Sequence, residues 1–503
     1  MKFKSIISFI VAPLIFVLII LFVDLKPGEP VVTYTMAVAM LMAVWWITEA
    51  VPLAVTSLIP VALFPFLGIM DGKAVSSTYF NHVIFLFIGG FIIALAMERW
   101  NLHKRIALKI LLITGVSPGR ILLGFMIACA FLSMWISNTA TAMMMIPILL
   151  SVIAKLEETV GKKNVSKYTI GLLLGVAYSA SIGGVATLVG TPPNLSFARI
   201  FHIYFPNAPD ISFASWFVFA LPVSLTMFII TWAFLYVVFR PKKGAWINID
   251  KDTFKQQLSA LGPAGFEEKV VFIDFVLVAF LWLFRSDLEF GGVIVPGWSD
   301  IFPQSDYIND GTVAILMAVL LFVFPSRKKG TKRIMNWQTA TKIPWHIVLL
   351  FGGGFALASG FKESGLSTWV GEQLIWVADY NPILIIFVIA IMMTFLTELT
   401  SNTATTEMIL PILAGIAVST ETNPLLFMLP ATLSGSMAFM LPVATPPNAI
   451  VFGTNRIHVS QMARTGILLN VIGAIVITTM TYFLGTYFFD IQIGHFPDWA
   501  NIN

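Results

Sequence analysis

A polar motif of five residues, Ser-Asn-Thr-Ala-Thr, occurs twice in an otherwise apolar chain, at Ser137–Thr141 and Ser401–Thr405. Each copy is followed by a Pro-Ile-Leu sequence, and the two copies are separated by 264 positions. Hydroxyl and amide oxygens are ligands that hard cations such as sodium accept. The same short side chains bond nearby backbone groups, so they favour turns and helix caps over helix interiors. The motif therefore predicts a hairpin tip that carries cation ligands.

A second motif, Thr-Pro-Pro-Asn, also occurs twice, at Thr191–Asn194 and Thr445–Asn448. A double proline ends one helix and is accepted in the first turn of the next, so each copy predicts a helix broken into two halves. A break leaves unpaired N–H groups at one half-helix end and unpaired C=O groups at the other. The N–H ends suit an anionic substrate, and the C=O ends suit a cation.

A hydroxyl also precedes each hairpin tip by one helical turn. Ser133 lies four residues before Ser137, and Thr397 lies four residues before Ser401. This spacing places each hydroxyl on the same helix face as its tip. One Ser-Asn-Thr motif alone would fit a simple cap on a buried turn as well as it fits a binding site. Two mirrored copies, each paired with a Thr-Pro-Pro-Asn motif, favour a binding site.

Lysine and arginine are missing from the surroundings of these motifs. The four segments without either residue are 133–147, 183–194, 397–411 and 440–455. Glu398 and Glu407 flank the second tip instead. Because an uncompensated buried dianion is very costly, an anion held here needs a cation beside it. The missing basic residues therefore indicate coupled binding of sodium and an anion.

The composition is that of a polytopic membrane protein. Of 503 residues, 58% are hydrophobic and 11% are charged, with a mean hydropathy of +0.88. A soluble domain would have about 25% charged residues. Cys129 is the only cysteine, which excludes an intrachain disulfide. The chain has no His-Glu-x-x-His motif, and no Gly-x-Ser-x-Gly motif lies at a predicted strand-to-helix turn, so we do not expect an enzyme.

The apolar segments predict 11 membrane-spanning helices and two re-entrant hairpins. The predicted helices are 5–23, 31–49, 52–70, 83–98, 168–200, 213–239, 270–284, 311–325, 345–361, 424–453 and 465–489. The helices at 168–200 and 424–453 are the two interrupted by Thr-Pro-Pro-Asn. The hairpins are predicted at 116–155 and 380–420, each with a Ser-Asn-Thr tip in its middle.

The repeat extends beyond the two short motifs. In the same register, 10 of 18 positions are identical between 132–149 and 396–413, and Phe87, Gly89 and Gly90 match Phe351, Gly353 and Gly354. Five predicted helices lie between the two hairpins, so the second hairpin enters from the opposite side of the membrane. The sequence therefore predicts an all-α membrane protein built from two inverted-topology repeats. That architecture is typical of secondary transporters, whose sites lie at the repeat interface.

The distribution of basic residues sets the predicted orientation. With the N-terminus in the cytoplasm, 25 of the 30 Lys and Arg residues fall in cytoplasmic segments and 5 fall outside. This bias obeys the positive-inside rule and places the C-terminus outside. The net charge of +4 is therefore explained by topology, and no nucleic-acid partner is expected. The basic amphipathic stretch Asn101–Leu112 predicts a helix on the cytoplasmic surface.

These motifs, with the stretch Trp-Trp-Ile-Thr-Glu-Ala-Val-Pro at Trp45–Pro52, resemble the divalent-anion/sodium symporter family over nearly the whole chain. The resemblance implies a homodimer in the cell membrane and an elevator-like motion of a transport domain past a scaffold. The corresponding division is 1–115 and 241–375 for the scaffold, and 116–240 and 376–503 for the transport domain.

The resemblance also implies the site residues. Substrate would be held by Ser137, Asn138, Thr139, Ser401, Asn402, Thr403, Thr445 and Pro446. The first sodium site would use Ser133, Ser137, Asn138 and Gly190, and the second would use Thr397, Thr400, Asn402 and Ala444. Ala444 stands where the first repeat has Gly190, and either residue offers a backbone carbonyl.

The function implied is sodium-coupled symport of C4-dicarboxylates such as succinate, malate and fumarate, with at least two sodium ions and no organic cofactor. Both Ser-Asn-Thr motifs are intact, which favours a C4-dicarboxylate over citrate. A sodium-independent dicarboxylate exchanger remains an alternative, as does a sulfate or citrate carrier of the same fold.

Overall fold

The computed structural model describes residues 3–241, 251–290 and 293–501, without the side chains of 3–7, 288–290 and 293. Helices dominate these residues. Seven of the helices are long and apolar enough to cross a membrane, and shorter apolar helices accompany them. The predicted fold class, an all-α polytopic membrane protein, is confirmed.

The first seven helices correspond to the chain before the first hairpin. They are α1 (Phe3–Phe22), α2 (Pro30–Thr48), α3 (Leu53–Thr56), α4 (Ile59–Phe66), α5 (Gly72–Ser77), α6 (His82–Arg99) and α7 (Leu102–Thr114). The continuous helix predicted at 52–70 is wrong, because α3 and α4 are separate. Pro60 has no N–H for the carbonyl of Thr56, so the helix stops there and restarts at Ile59. The amphipathic helix predicted at Asn101–Leu112 is confirmed as α7.

The first hairpin and the first broken helix follow as predicted. The helices are α8 (Pro118–Ser133), α9 (Asn138–Val160), α10 (Lys162–Val185), α11 (Pro192–Tyr204) and α12 (Phe213–Phe239). Residues Tyr168–Val185 of α10 are all buried, so this half-helix lies in the middle of the protein. Pro192 and Pro193 begin α11, as expected for residues that fit a first helical turn.

Five helices separate α12 from the last six helices. They are α13 (Asp252–Ala260), α14 (Phe266–Leu283), α15 (Asp310–Val323), α16 (Trp337–Ala340) and α17 (Trp345–Glu363). An antiparallel two-stranded ribbon, β1 (Leu288–Phe290) with β2 (Val293–Val295), was not predicted. Its second strand is a β-branched run, Val-Ile-Val, which favours extended backbone.

The last six helices repeat the order of hairpin, broken helix and long helix. They are α18 (Leu366–Gln373), α19 (Pro382–Thr397), α20 (Asn402–Ser419), α21 (Leu425–Ser434), α22 (Pro446–Phe452) and α23 (Val459–Phe488). The second break spans 435–445, so it begins ten residues before the Thr-Pro-Pro-Asn motif at Thr445–Asn448. Side chains replace the missing helical bonds there: Asn470 accepts from Phe439 N at 3.2 Å, and Glu398 accepts from Met440 N and Leu441 N.

The glycine-rich helices of the two halves, α6 and α17, touch through a pair of equivalent phenylalanines. Phe87 and Phe351, which correspond in the repeat register, touch edge to face with ring centroids 5.1 Å apart. Gly89 lies so close to Ala314 of α15 that an added Cβ would be 2.6 Å from it, and Gly353 packs as tightly on Ser57. Contact between equivalent residues supports the internal repeat; its inverted orientation stays a prediction.

Candidate functional site

The first hairpin tip brings together two of the predicted sodium ligands. The chain turns between the end of α8 at Ser133 and the start of α9 at Asn138. Ser137 caps α9, since its hydroxyl accepts a hydrogen bond from Ala140 N at 3.2 Å. Ser133 is fully buried, and its hydroxyl donates to the amide oxygen Oδ1 of Asn138. The tip is therefore an ordered turn that concentrates hydroxyl and amide oxygens.

The first broken helix lies directly against this tip. A Cβ added to Gly184 would be 2.7 Å from Asn138 Oδ1 and 3.0 Å from the carbonyl oxygen of Gly190. The hydroxyl of Thr187 accepts from Gly190 N at 3.0 Å and donates to the carbonyl of Met134. The structure thus places Gly190 beside the tip that contains Ser133 and Asn138, as predicted for the first sodium site.

The asparagine of each Thr-Pro-Pro-Asn motif closes its own break. Asn194 Nδ2 donates to the carbonyls of Val185 at 3.1 Å and Thr187 at 2.8 Å. Asn448 Nδ2 donates to the carbonyls of Ala438 at 3.2 Å and Leu441 at 3.1 Å. The Oδ1 atom of each is buried without a hydrogen-bond partner. Sequence reasoning located these two motifs but missed this role, although the recurrence of Asn after both prolines was a signal for it.

The second hairpin tip has the same outline and a different set of hydrogen bonds. The chain turns between Thr397 and Asn402, and Thr397 donates to the carbonyl of Thr394 at 3.1 Å. Thr400 donates to the carbonyl of Leu396 at 2.7 Å, and its hydroxyl lies 2.5 Å from that of Thr405. Asn402 Oδ1 is buried without a hydrogen-bond partner.

The predicted residues at the end of the second break adopt the conformation seen in the first repeat. Ala444 N bonds to the carbonyl of Leu441 at 3.2 Å, as Gly190 N bonds to that of Thr187 at 3.3 Å. Thr445 caps α22 by accepting from Asn448 N at 3.4 Å, and Pro446 is the first residue of that helix. The second break also packs against α20 at Gly435, where an added Cβ would be 2.7 Å from Thr406 Oγ1.

Thr139 and Thr403 lie in the first turn of α9 and of α20, next to the asparagines. In each helix these first-turn N–H groups have no intrahelical partner. The positive ends of α9 and α20 thus lie at the two tips, as required for an anion-binding role.

The two repeats contact each other around these breaks. The hydroxyls of Thr191 and Ser436 lie 3.3 Å apart, and the Tyr178 hydroxyl donates to the carbonyl of Phe439 at 2.8 Å. The interface therefore combines a break from each half, with polar groups from both.

Glu398 has a structural role that sequence reasoning did not assign. Its carboxylate is 2% exposed and accepts from Met440 N at 2.8 Å, Leu441 N at 2.9 Å and Asn470 Nδ2 at 2.8 Å. Three N–H donors replace the water that a carboxylate would otherwise bind. Glu398 thereby fastens the second break to the end of α19.

Residues 4–489 match the family described as the sodium:sulfate symporter transmembrane region. The chain belongs to this family. The resemblance to the divalent-anion/sodium symporters is thus confirmed, and the protein is a multi-pass membrane transporter and not an enzyme.

Relatives from two staphylococci match over almost the whole chain. The sodium-dependent dicarboxylate transporter SdcS of Staphylococcus saprophyticus is 43% identical over 486 residues, which cover 95% of this chain and 91% of the relative. The protein of the same name from Staphylococcus aureus is 44% identical over 488 residues, with the same coverage.

Two solved transporter structures share the fold at low sequence identity. The YdaH transporter of Alcanivorax borkumensis superposes with a TM-score of 0.55 and 10% identity, covering 90% of this chain and 98% of that one. MtrF of Neisseria gonorrhoeae superposes with a TM-score of 0.54 and 13% identity, covering 86% and 84%. At these identities the likeness concerns the fold alone.

Proposed function

We propose that this protein is a sodium-coupled symporter of C4-dicarboxylates such as succinate, malate and fumarate. The observation that carries the proposal is the first tip, where Ser133, Asn138 and the Gly190 carbonyl converge beside the positive end of α9. The two staphylococcal relatives are named sodium-dependent dicarboxylate transporters, which supports a dicarboxylate substrate and sodium as the coupling ion.

The proposed ligands follow the two repeats. Sodium site 1 uses Ser133, Ser137, Asn138 and the carbonyl of Gly190, and sodium site 2 uses Thr397, Thr400, Asn402 and the carbonyl of Ala444. The carboxylates of the substrate are held by Ser137, Asn138, Thr139, Ser401, Asn402, Thr403, Thr445 and Pro446. Asn402 Oδ1, which is buried and lacks a donor, suits a cation better than an anion.

The coupling mechanism rests on the two tip asparagines. An asparagine amide has an acceptor oxygen and a donor NH2 group. Asn138 or Asn402 thus faces sodium with its oxygen and a substrate carboxylate with its nitrogen. Bound sodium offsets the cost of bringing a dianion into a site without lysine or arginine. Because such coupling is reciprocal, each ligand raises the affinity for the other.

Alternating access is proposed to occur by an elevator motion. The transport domain comprises 116–240 and 376–503, and it moves past a scaffold of 1–115 and 241–375. The protein is proposed to be a homodimer in the cell membrane, with a cytoplasmic N-terminus and an external C-terminus. The packing of α11 on α20 of the second hairpin, and of α10 on α22 of the second broken helix, supports a single moving body.

Uptake of labelled succinate into proteoliposomes tests the proposal. Uptake should require sodium and should stop when choline or potassium replaces it. Equal uptake in choline, driven only by internal dicarboxylate, would instead indicate a sodium-independent exchanger. Sulfate and citrate are included as competitors because the family description names sulfate. Stronger inhibition by either than by malate or fumarate would contradict the proposed substrate class.

A further inference from the structure

A second buried carboxylate, Glu407, lies on α20 close to the proposed substrate site. It follows Thr403 by four residues, so both side chains project from one face of the helix, about 6 Å apart along its axis. Glu407 is 0% exposed, and Thr403 is 7% exposed. A buried acid one turn from a proposed anion site calls for a physical explanation.

The surroundings of Glu407 offer little to stabilise a negative charge. The Ser196 hydroxyl donates to Oε1 at 2.9 Å, and the other oxygen, Oε2, is buried without a hydrogen-bond partner. Gly354 of α17 packs directly against the Glu407 carboxyl group, because a Cβ added to Gly354 would be 2.3 Å from the carboxyl carbon. Glu398 on the same hairpin receives three N–H donors, so Glu407 is the poorly solvated member of the pair.

No cationic side chain compensates Glu407 among the described residues. Tyr79 lies near enough to Glu407 to interact with its charge, and the Tyr79 hydroxyl donates to the carbonyl of Ser57. Tyr79 therefore presents lone pairs to its other neighbours. A protonated carboxyl is compatible with such lone pairs, whereas a carboxylate is repelled by them.

Among the described residues, none of the other ionisable groups on the helices packed against α20 forms a hydrogen bond or an ion pair with Glu407. Arg199 on α11 lies near His82 and His202, and its Nε is buried without a hydrogen-bond partner. Lys362 donates to the carbonyl of Ile203 at 2.6 Å. His346 and Lys362 each lie eight residues from Gly354, about 12 Å along α17. The remaining groups are Tyr34 on α2, Tyr204 on α11, Glu363 on α17 and the exposed Glu372 on α18; the Tyr204 hydroxyl lies 2.7 Å from that of Ser367, and α19 and α21 carry no ionisable group.

We propose that Glu407 is a proton-binding site, occupied in this conformation and emptied when α17 separates from α20 during transport. Burial of an unpaired carboxylate with a single donor is far more costly than burial of the neutral acid. When Gly354 moves away, water reaches the carboxyl group. The proton then passes from the Glu407 carboxyl oxygen to that water, leaving the carboxylate. The release step rests on the proposed function, because Gly354 and Glu407 lie in different proposed domains.

Thermal unfolding in detergent tests proton binding without reference to transport. If the folded protein keeps the proton that the unfolded chain loses, wild-type stability falls as pH rises, by up to tenfold in the folding equilibrium per pH unit. Glu407→Gln mimics the neutral acid and removes this loss. The difference in melting temperature between Glu407→Gln and wild type should therefore widen from about pH 6 to pH 9. An equal difference at every pH would overturn the proton site.

Succinate uptake tests the release step. Total succinate is adjusted at each pH so that the dianion concentration stays constant, with saturating sodium. Wild-type uptake should fall at high pH, because an ionised Glu407 does not return to the dry interface, and Glu407→Gln should be insensitive to pH. Ser196→Ala removes the donor that favours the charged form, so its profile should shift to higher pH. If Glu407→Gln does not insert into the membrane, the pH profile of Ser196→Ala alone still tests proton release.

The contradicting outcomes of the uptake experiment are distinct. A flat wild-type profile, or one profile shared by all three proteins, would overturn proton release. Loss of sodium cooperativity in Glu407→Gln with an unchanged pH profile would assign the site to sodium and overturn the proton. Absence of wild-type uptake at every pH would contradict the proposed function, while the unfolding experiment would still decide whether Glu407 binds a proton.

Discussion

Substitution of Gly184 by alanine tests the geometry of the first sodium site. An added Cβ would be 2.7 Å from Asn138 Oδ1 and 3.0 Å from the Gly190 carbonyl oxygen, where ordinary contacts begin at 3.4 Å. The amide oxygen of Asn138 must therefore move by about 0.7 Å, the difference between 3.4 and 2.7 Å. Binding groups need to be held within about 0.5 Å of their productive positions. Both proposed ligands are displaced, so sodium binding should weaken.

The expected magnitude follows from the cost of overpacking, about 1–3 kcal/mol. If that cost falls on sodium binding, the sodium concentration for half-maximal uptake rises by about 5- to 150-fold. The assay is the initial rate of succinate uptake over a range of sodium concentrations, with the melting temperature in detergent as a measure of folding.

Gly473→Ala on α23 is the matched control. Its added Cβ meets only Met227 Cε at 3.5 Å, an ordinary contact, so it should keep the wild-type sodium response. A Gly184→Ala protein with both wild-type sodium dependence and wild-type stability would refute the placement of Asn138 and Gly190 in this site.

The remaining predictions concern the tips and the breaks. Asn138→Asp or Asn402→Asp should abolish uptake while the protein still inserts, because the donor NH2 is lost and a negative charge faces the substrate; wild-type sodium dependence and affinity in both would contradict the site. Thr405→Ala should impair uptake more than Thr141→Ala, since Thr405 pairs with Thr400 at 2.5 Å while Thr141 Oγ1 has no hydrogen-bond partner, and equal uptake rates would speak against site 2. Asn194→Ala and Asn448→Ala should each lower stability by about 1–3 kcal/mol, measured by thermal unfolding, because the carbonyls of the breaks lose their donors. Glu398→Gln should destabilise the second break by a similar amount, because an amide NH2 group then meets backbone N–H donors. Unchanged melting temperatures in the Asn194, Asn448 and Glu398 variants would contradict the roles assigned to their hydrogen bonds.

The hairpins and breaks could be predicted because their causes are local. Ser-Asn-Thr is a cap sequence, and Pro-Pro both ends and begins a helix, so α9, α11, α20 and α22 begin at or next to these motifs. The repeat register then identified equivalent positions, and Phe87 and Phe351 do meet.

The features that the sequence did not reveal depend on contacts between distant segments. The second break is longer than its motif because Glu398 and Asn470, from α19 and α23, satisfy its N–H groups. Asp274 on α14 is 4% exposed, and its Oδ2 atom has no hydrogen-bond partner. Neither outcome follows from hydropathy, since partners of a buried polar group are brought together only by the tertiary fold.

The most direct test of the account is the effect of sodium on dicarboxylate binding, measured by titrating succinate into the purified protein with sodium or choline as the cation. The account predicts that sodium raises the affinity for succinate, and that succinate raises the affinity for sodium by the same factor. Asn402→Asp should remove both effects. An affinity for succinate that is the same in sodium and in choline would contradict the claim that the two ligands are bound together at the hairpin tips.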